Sequence, residues 1–307
     1  MEKLILLLLP VLVSCSITVN IIASNSDATS RVNYIGTDSN IISAKERVTF
    51  GVTDENLKTA AEKYSGGRPK DVFLHSPTPW NDLYQTYGWR QVRRILRPIR
   101  HKILSVDSED SVMSVKEMHN NSTATVSFNT GMQQDVENIV SNTWSKEGAL
   151  TIEEPIHYDI NFISGSVTGP DFKFSSKWAN DAMEVKKITI GSDSDTTVPV
   201  EPGQSIKASL QATKVTMIAE IDYYANLNGH VACNYPKKFN GHHFWRYDVT
   251  ALQEAGQLRK TVMSSEVIKI RYYSNPKLVI TNKDTNEEIS SHPGFLRDTN
   301  ITEKVHA

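Results

Sequence analysis

His230-Val-Ala-Cys233 and the pair His242-His243 bring together the side chains that most often ligate metal or attack carbonyl carbon. Three of them around zinc would make a metal centre, and the thiol with an imidazole base would make a nucleophile. The spacing matches no closed zinc module, and no third group stands by to orient a base or stabilise an oxyanion. No Gly-x-Ser-x-Gly elbow, phosphate-cradling loop or dinucleotide fingerprint occurs elsewhere in the chain. We expect a packed cysteine with turn histidines at a hairpin end, no metal, no cofactor and no enzymatic activity.

A second constellation joins Trp80, Tyr84, Tyr87 and Trp89 to Arg90, Arg93, Arg94, Arg97 and Arg100. Such a surface grips a glycan ring or sits at a lipid headgroup interface, which makes these aromatics and Arg90 to Arg97 the receptor candidates. The same spacing also describes a helix that packs aromatics into a core and solvates its arginines. Either way the element expected there is a helix from Trp80 to Leu96, closed by Arg97-Pro98. A helix is also expected over 53–64, with Thr53 or Asp54 as N-cap, acidic residues in its first turn and Gly66-Gly67 after its end. Residues 25–45, rich in Ser, Asn and Thr, read as a loose leader or an irregular edge.

The third feature is the stretch HYDINFISGSVTGPDFKFS, His157 to Ser175. Strand side chains alternate between faces, so Tyr158, Ile160 and Phe162 share one face with Phe172 and Phe174 across the turn. Asp159, Asn161, Asp171 and Lys173 take the other. The same parity adds Leu150, Ile152 and Ile156 upstream and Trp178 downstream. A hairpin packed on a soluble core has this pattern, and so does one with lipid on one side and a watery lumen on the other. In the second case the soluble form holds the hairpin by a modest apolar contact, and a lone hairpin cannot cross: several copies must close into a barrel. Glu154 falls on the apolar face and Pro155 removes a ladder hydrogen bond, so a membrane-crossing part begins at Ile156.

From about residue 111 the chain is almost entirely strand-like, with runs at 112–118, 124–129, 136–144, 150–162, 172–190, 205–227, 244–250, 262–273 and 277–281. Ile206 to Leu227 contains no Gly or Pro, so its strand is far longer than the usual ~5 to 6 residues. The expected fold is mainly β and elongated, with long twisted antiparallel strands and a small helical N-terminal lobe. The organisation is a signal peptide over 1–16, a helical, receptor-facing lobe over 17–110, a β-rich module over 111–282 with its hairpin near 150–178, and a polar, loop-like tail over 283–307.

With 307 residues, 39% hydrophobic and 22% charged, the composition is that of a globular protein, and a net charge of −2 argues against nucleic acid as a partner. Leu4 to Val13 is an apolar run of signal-peptide length, which predicts secretion with cleavage after Ser16. Leu12-Val-Ser-Cys15 also fits a lipoprotein cleavage box, which would leave Cys15 lipidated. If Cys15 leaves with the signal, Cys233 is the single cysteine of the mature chain and the fold stands without disulfides. Sequons at Asn120, Asn121 and Asn300 are glycosylation candidates in keeping with secretion.

Ser141-Asn-Thr-Trp-Ser145 before the hairpin, Thr196-Thr-Val-Pro-Val-Glu-Pro-Gly-Gln-Ser205 after it, and the long strand from Ile206 to Leu227 ending in Asn228-Gly229 follow one another in a telling order. In this order the chain resembles the aerolysin-like β-pore-forming toxins, in the branch of epsilon toxin, mosquitocidal toxins and spherulin-like eukaryotic relatives, over roughly 111–273. The resemblance implies a secreted cytolysin that binds a cell surface, forms a homo-oligomer and extends Ile156, Tyr158, Ile160, Phe162, Phe172 and Phe174 into a shared barrel. A terminal peptide removed by cleavage, at Lys283, Arg297 or Lys304, belongs to the same implication. The alternative is a secreted glycan-binding or coat protein that keeps the fold and has no pore activity; this hairpin is less rich in Ser and Thr than is usual in the family.

Overall fold

A computed structural model describes residues 16–145, 155–164, 167–168, 172–177, 180–193 and 195–306, with the backbone alone for 164, 167–168 and 300–306. The expected signal segment up to Cys15, and Leu150, Ile152, Glu154, Asp171 and Trp178 of the extended hairpin, lie outside the described residues. Among the described residues strands far outnumber helices, which makes the fold mainly β as expected.

The chain opens with β1 (Thr18–Ala23) and β2 (Arg31–Ile35), an antiparallel pair whose Val19, Ile21, Ala23 and Val32 are buried. β3 (Asp38–Ile41) and the short helix α1 (Ala44–Thr49) follow, so of the two readings, loose leader or irregular edge, the edge fits: β2 and β3 are terminal strands of their sheets. Ser43-Ala-Lys-Glu46 is a capping box: the Ser43 hydroxyl accepts from the Glu46 amide, and the Glu46 carboxylate accepts from the Ser43 amide. Helix α2 (Asp54–Ser65) has the expected limits, with Thr53 at its N-cap and Gly66 left-handed at φ 83 after its end.

β4 (Asp71–Phe73) leads to α3 (Pro79–Tyr87), and here the expected second helix is corrected. Gly88 closes α3 at φ 63 with its amide on the Tyr84 carbonyl, and from Arg93 the chain continues as the long strand β5 (Arg93–His119). The helical reading joined apolar residues on either side of a glycine C-cap. Beyond that cap the period is two: Arg93, Ile95 and Arg97 alternate with the buried Arg94, Leu96 and Pro98.

The rest is strand apart from one helix: β6 (Val126–Asn129), β7 (Gln133–Trp144), β8 (Pro155–Ser164), β9 (Val167–Thr168), β10 (Phe172–Lys177), β11 (Ala182–Gly191), β12 (Thr197–Val200), β13 (Ser205–Asn228), β14 (His230–Phe239), β15 (His242–Asp248), α4 (Val249–Ala255), β16 (Thr261–Asn282), β17 (Glu288–Pro293) and β18 (Phe295–His306). The polar tail is therefore not loop: β17 pairs with β16 and β18 with β11. The side chains of 288–299 are exposed or half-buried, so backbone pairing rather than apolar burial holds this part of the segment. An eight-stranded sheet has the order β18-β11-β7-β16-β13-β5-β3 with β17 beside β16. A five-stranded sheet runs β10-β8-β1-β2 with β9 beside β8, and two small sheets pair β12 with β6 and β15-β14-β4. Val198 and Val200 of β12 are buried with Ile206, Leu278 and Ile280, so the turn that opens β13 is fastened by its alternate apolar residues.

Two compact units emerge, one of residues 16–17, Gly36–Arg97 and Tyr224–Val262, the other of Thr18–Ile35, Pro98–Tyr223 and the chain from Met263 on. These units are interleaved along the chain, unlike the consecutive segments expected from the sequence. Residues 18–35 join the second unit because β1 pairs with β8, and Tyr224–Val262 joins the helices because β14 pairs with β4.

Candidate membrane hairpin and aromatic face

In the second unit β8 and β10 form the antiparallel hairpin, with Ile160 opposite Phe172, Tyr158 opposite Phe174 and Ile156 opposite Ser176. On its other edge β8 runs parallel to β1, setting Val19 beside Tyr158 and Ile21 beside Ile160. Ile156, Tyr158, Ile160, Phe162, Phe172 and Phe174 share one face, and none is more than 3% exposed. Phe162 stacks on Tyr272 with ring centroids 4.6 Å apart, and the Tyr158 ring lies 5.6 Å from that of Phe174. His157, Lys173, Ser175 and Lys177 are exposed on the opposite face. The contact is larger than the modest one expected: the apolar face is buried as core. Pro155 stands at the first position of β8, where a missing amide is best tolerated.

Sequence reasoning missed the polar centre beneath this face. Glu266 of β16 is 0% exposed and accepts from the Asn142 side-chain amide of β7 at 2.5 Å and the Ser176 hydroxyl of β10 at 2.9 Å, both on Oε1. Its Oε2 accepts from the Tyr158 hydroxyl of β8 and, at 3.3 Å, from that of Tyr223 of β13. The two tyrosine hydroxyls lie 2.9 Å apart. Burial pushes the Glu266 carboxyl up to about 7, against the pull of its four hydrogen bonds. Burial, and then the neighbouring Glu266, hold the Tyr158 and Tyr223 hydroxyls far above the usual phenol range. A signal existed: Val262, Ser264, Glu266, Ile268, Ile270 and Tyr272 alternate as the inward positions of β16, and Glu266 is the charge among them.

In the first unit the candidate aromatics part company. Tyr84 is buried, and its hydroxyl donates to the carbonyls of Phe73 at 2.7 Å and His230 at 2.8 Å, so it pins α3 rather than facing a receptor. Trp80 and Tyr87 are 46% and 51% exposed. Trp80 lies edge-on to Phe73 at 6.1 Å and 5.1 Å from Phe244, while Tyr87 stacks on Trp89 at 4.9 Å, which makes one aromatic face. Trp80, Asn81 and Asp82 all have positive φ, 64, 59 and 57, a strained turn that sets the angle of Trp80.

The arginine cluster is dispersed, because a strand sends successive residues to opposite sides. Arg94 is 2% exposed and bound to Glu46 and Asp38, which removes it from the receptor candidates. Arg93 donates to the Ser39 carbonyl at 2.9 Å, Arg97 lies 5.3 Å from the Tyr224 ring centre, and Arg90 is exposed. In β14, Cys233 is buried, and burial raises its thiol pKa. His230 accepts the Arg90 amide at 3.2 Å and His243 meets the Tyr235 carbonyl at 2.9 Å; among the described residues no group of three His, Cys, Asp or Glu is placed to hold a metal. Asn120 is buried with its amide donating to the carbonyls of Ala124 and Val200, so it cannot carry a glycan in the folded chain, whereas Asn121 is exposed.

No family model matches the chain. It is 35% identical over 252 residues to U-megalopygitoxin(8)-Mc8 of Megalopyge crispata, covering 82% of this chain and 87% of that one. U-megalopygitoxin(8)-Mo12 of Megalopyge opercularis is 34% identical over the same shares. The chain belongs to the U-megalopygitoxin(8) family. Its fold matches the crystal structure of parasporin-2, a Bacillus thuringiensis toxin that recognizes cancer cells, with a TM-score of 0.59 and 13% identity over 85% of this chain and 99% of that one. This megalopygitoxin relative therefore has the expected aerolysin-like fold, and its relatives bear the name of toxins. Among the described residues no helix is long and apolar enough to cross a membrane.

Proposed function

We propose that this chain is a secreted pore-forming toxin that binds a cell surface, oligomerises and inserts the β8–β10 hairpin into a shared transmembrane barrel. The observation that carries this reading is the hairpin itself, with six apolar side chains on one face and charged or polar ones on the other, in a chain of toxin family and fold. β8 alone spans 10 residues, within the ~9 to 11 that a tilted barrel strand needs to cross hydrocarbon. Exchanging a protein core for lipid leaves these side chains away from water, so insertion retains the hydrophobic term, on the order of 10 kcal/mol for six residues at ~1.5 to 3 kcal/mol each. Closure into a ring satisfies the strand edges that a single hairpin leaves open. The face of Trp80, Tyr87 and Trp89 is the candidate contact with receptor or glycan, and Asn121 the candidate glycosylation site.

The test is a tether. Asn20 and Asp159 are partners across the β1–β8 ladder, and adjacent strands approach within disulfide range. The double variant N20C/D159C is expected to block dye release from vesicles and red-cell ghosts when oxidised and to regain it on reduction. Release unaffected by the oxidised tether would remove the hairpin from the mechanism. Membrane binding by the untethered protein without release would favour the binding-protein alternative, for which the exposed aromatic face is the supporting feature.

A further inference from the structure

Among the described residues Glu266 is a buried carboxylate held by neutral groups, and two of its four donors, Tyr158 and Ser176, belong to the hairpin. The other two, Asn142 and Tyr223, belong to β7 and β13, which lie with β16 in the eight-stranded sheet. The carboxylate therefore fastens the two arms of the hairpin to the sheet of its own unit at one point. We infer that Glu266 is a proton-dependent clasp, holding the β8–β10 hairpin down when it carries a proton and letting it go when it is ionised. The inference rests on the reading of β8–β10 as a segment that moves.

The groups that face Glu266 are Tyr158 from β8, Ser176 from β10, Tyr223 from β13 and Asn142 from β7, and Trp144 is its partner across the β7–β16 ladder. Ser264 and Ile268 flank it on β16. None of these is a cation. Asp222, next to Tyr223, is taken by Arg100 and the Ser265 hydroxyl, and Asp181 accepts the Trp144 amide. His157, Asp159, Lys173 and Lys177 of the hairpin alternate with the buried residues and so point to its other face. Among the described residues an ionised Glu266 has hydrogen bonds but no counter-charge, which is the arrangement that burial penalises most.

Release exposes the carboxyl and returns it to its ordinary value of 4.5, while the held state has it at about 7. A group whose pKa is raised in the closed state stabilises that state fully below the lower value and loses the contribution as pH rises through the upper one. Acid thus closes the clasp and neutral or alkaline pH loosens it. Within the window the opening constant grows about tenfold per pH unit.

Hydrogen exchange on the full chain, with protection corrected for intrinsic rates, reads this directly in the amides of 156–164 and 172–177. Their protection is expected to fall roughly 100-fold between about pH 5 and about pH 8. Glu266→Gln fits the site, because its oxygen accepts from Asn142 and Ser176 while its amide donates to a tyrosine hydroxyl that rotates to receive it; its hairpin protection should not change with pH. Ser176→Ala removes one donor to the ionised form and should move the midpoint of the fall to higher pH. A flat wild-type profile, a Glu266→Gln variant that keeps the fall, or a Ser176→Ala midpoint that stays put or moves down overturns the clasp. No membrane is involved, so a protein that shows the clasp and releases no dye refutes the pore and leaves the clasp intact.

Discussion

Glu46 and Glu266 are both carboxylates in the interior, at 3% and 0% exposure, and the two units solve the same problem differently. In the first unit Glu46 meets the guanidinium of Arg94 at 3.0 Å and also caps α1 through the Ser43 amide at 2.8 Å. Arg94 in turn binds Asp38, so a cation sits between two anions and each charge has a fixed partner. In the second unit Glu266 has four neutral donors from four strands. The first arrangement belongs where nothing is asked to move, because β3, α1 and β5 are tied together by opposite charges. The second costs the fold a desolvated carboxyl and ties down two strands that the proposed function requires to leave. The difference teaches that a buried acid is not one device: its partners decide whether it is a rivet or a catch.

The largest effect expected from breaking this comparison is at Arg94. Arg94→Met keeps much of the side-chain volume and strands Glu46 and Asp38 without their cation, and removal of one partner from a buried ion pair typically costs about 3 to 5 kcal/mol. Urea unfolding followed by the tryptophan fluorescence of the full chain should show a loss of this size at neutral pH. A loss below about 1 kcal/mol would mean that the two carboxylates relax into solvent and that the cluster is no rivet.

Much of this architecture was legible, and what was missed has physical causes. The parity of 156–174 placed all six apolar residues on one face, because a period of two survives whatever the strand packs against. The helix over 54–65 was plain from its caps. Arg93 to Leu96 was misread because helix and strand patterns overlap over a few residues, and the deciding signal was the single Gly88. β1 was hidden beside the signal-like run, since Ile17 to Ala23 is apolar for a different reason, its pairing with β8. The tail was called loop from its polarity, yet ladder hydrogen bonds do not depend on side-chain polarity. Glu266 was visible as an acid on an inward parity, but its four partners lie 43 to 124 residues away in sequence, and no local pattern brings them together.

The next effect in size sharpens the neutral side of the comparison. Tyr158→Phe deletes a donor to Glu266 without opening a cavity. Above about pH 7 the lost bond is to an ion, worth about 1.5 to 3 kcal/mol, and at about pH 5 it is a bond between neutral groups, worth about 1 kcal/mol. The variant should therefore lose more stability in alkali than in acid when thermal unfolding is compared at the two pH values. An equal loss at both would mean that Glu266 does not change charge in that range.

Tyr223→Phe is expected to have the smallest effect and separates the two tyrosines. The Tyr223 hydroxyl is 3.3 Å from the carboxylate and 2.9 Å from the Tyr158 hydroxyl, so its stronger bond is to its fellow phenol. Deleting it removes a bond between neutral groups, worth about 0.5 to 1 kcal/mol, and a long contact to the carboxylate. Because β13 belongs to the sheet and not to the hairpin, the loss should appear mainly in the tightness of the clasp's floor, with little dependence on pH. Tyr158 remains to hold β8, so hairpin exchange should rise only a few-fold, against a much larger rise in Tyr158→Phe. If instead Tyr223→Phe loses more in alkali than Tyr158→Phe does, the principal donor to the ionised carboxylate is on the sheet. The hairpin would then be held by its apolar face alone, and the catch would lose the arm through which a proton is supposed to act.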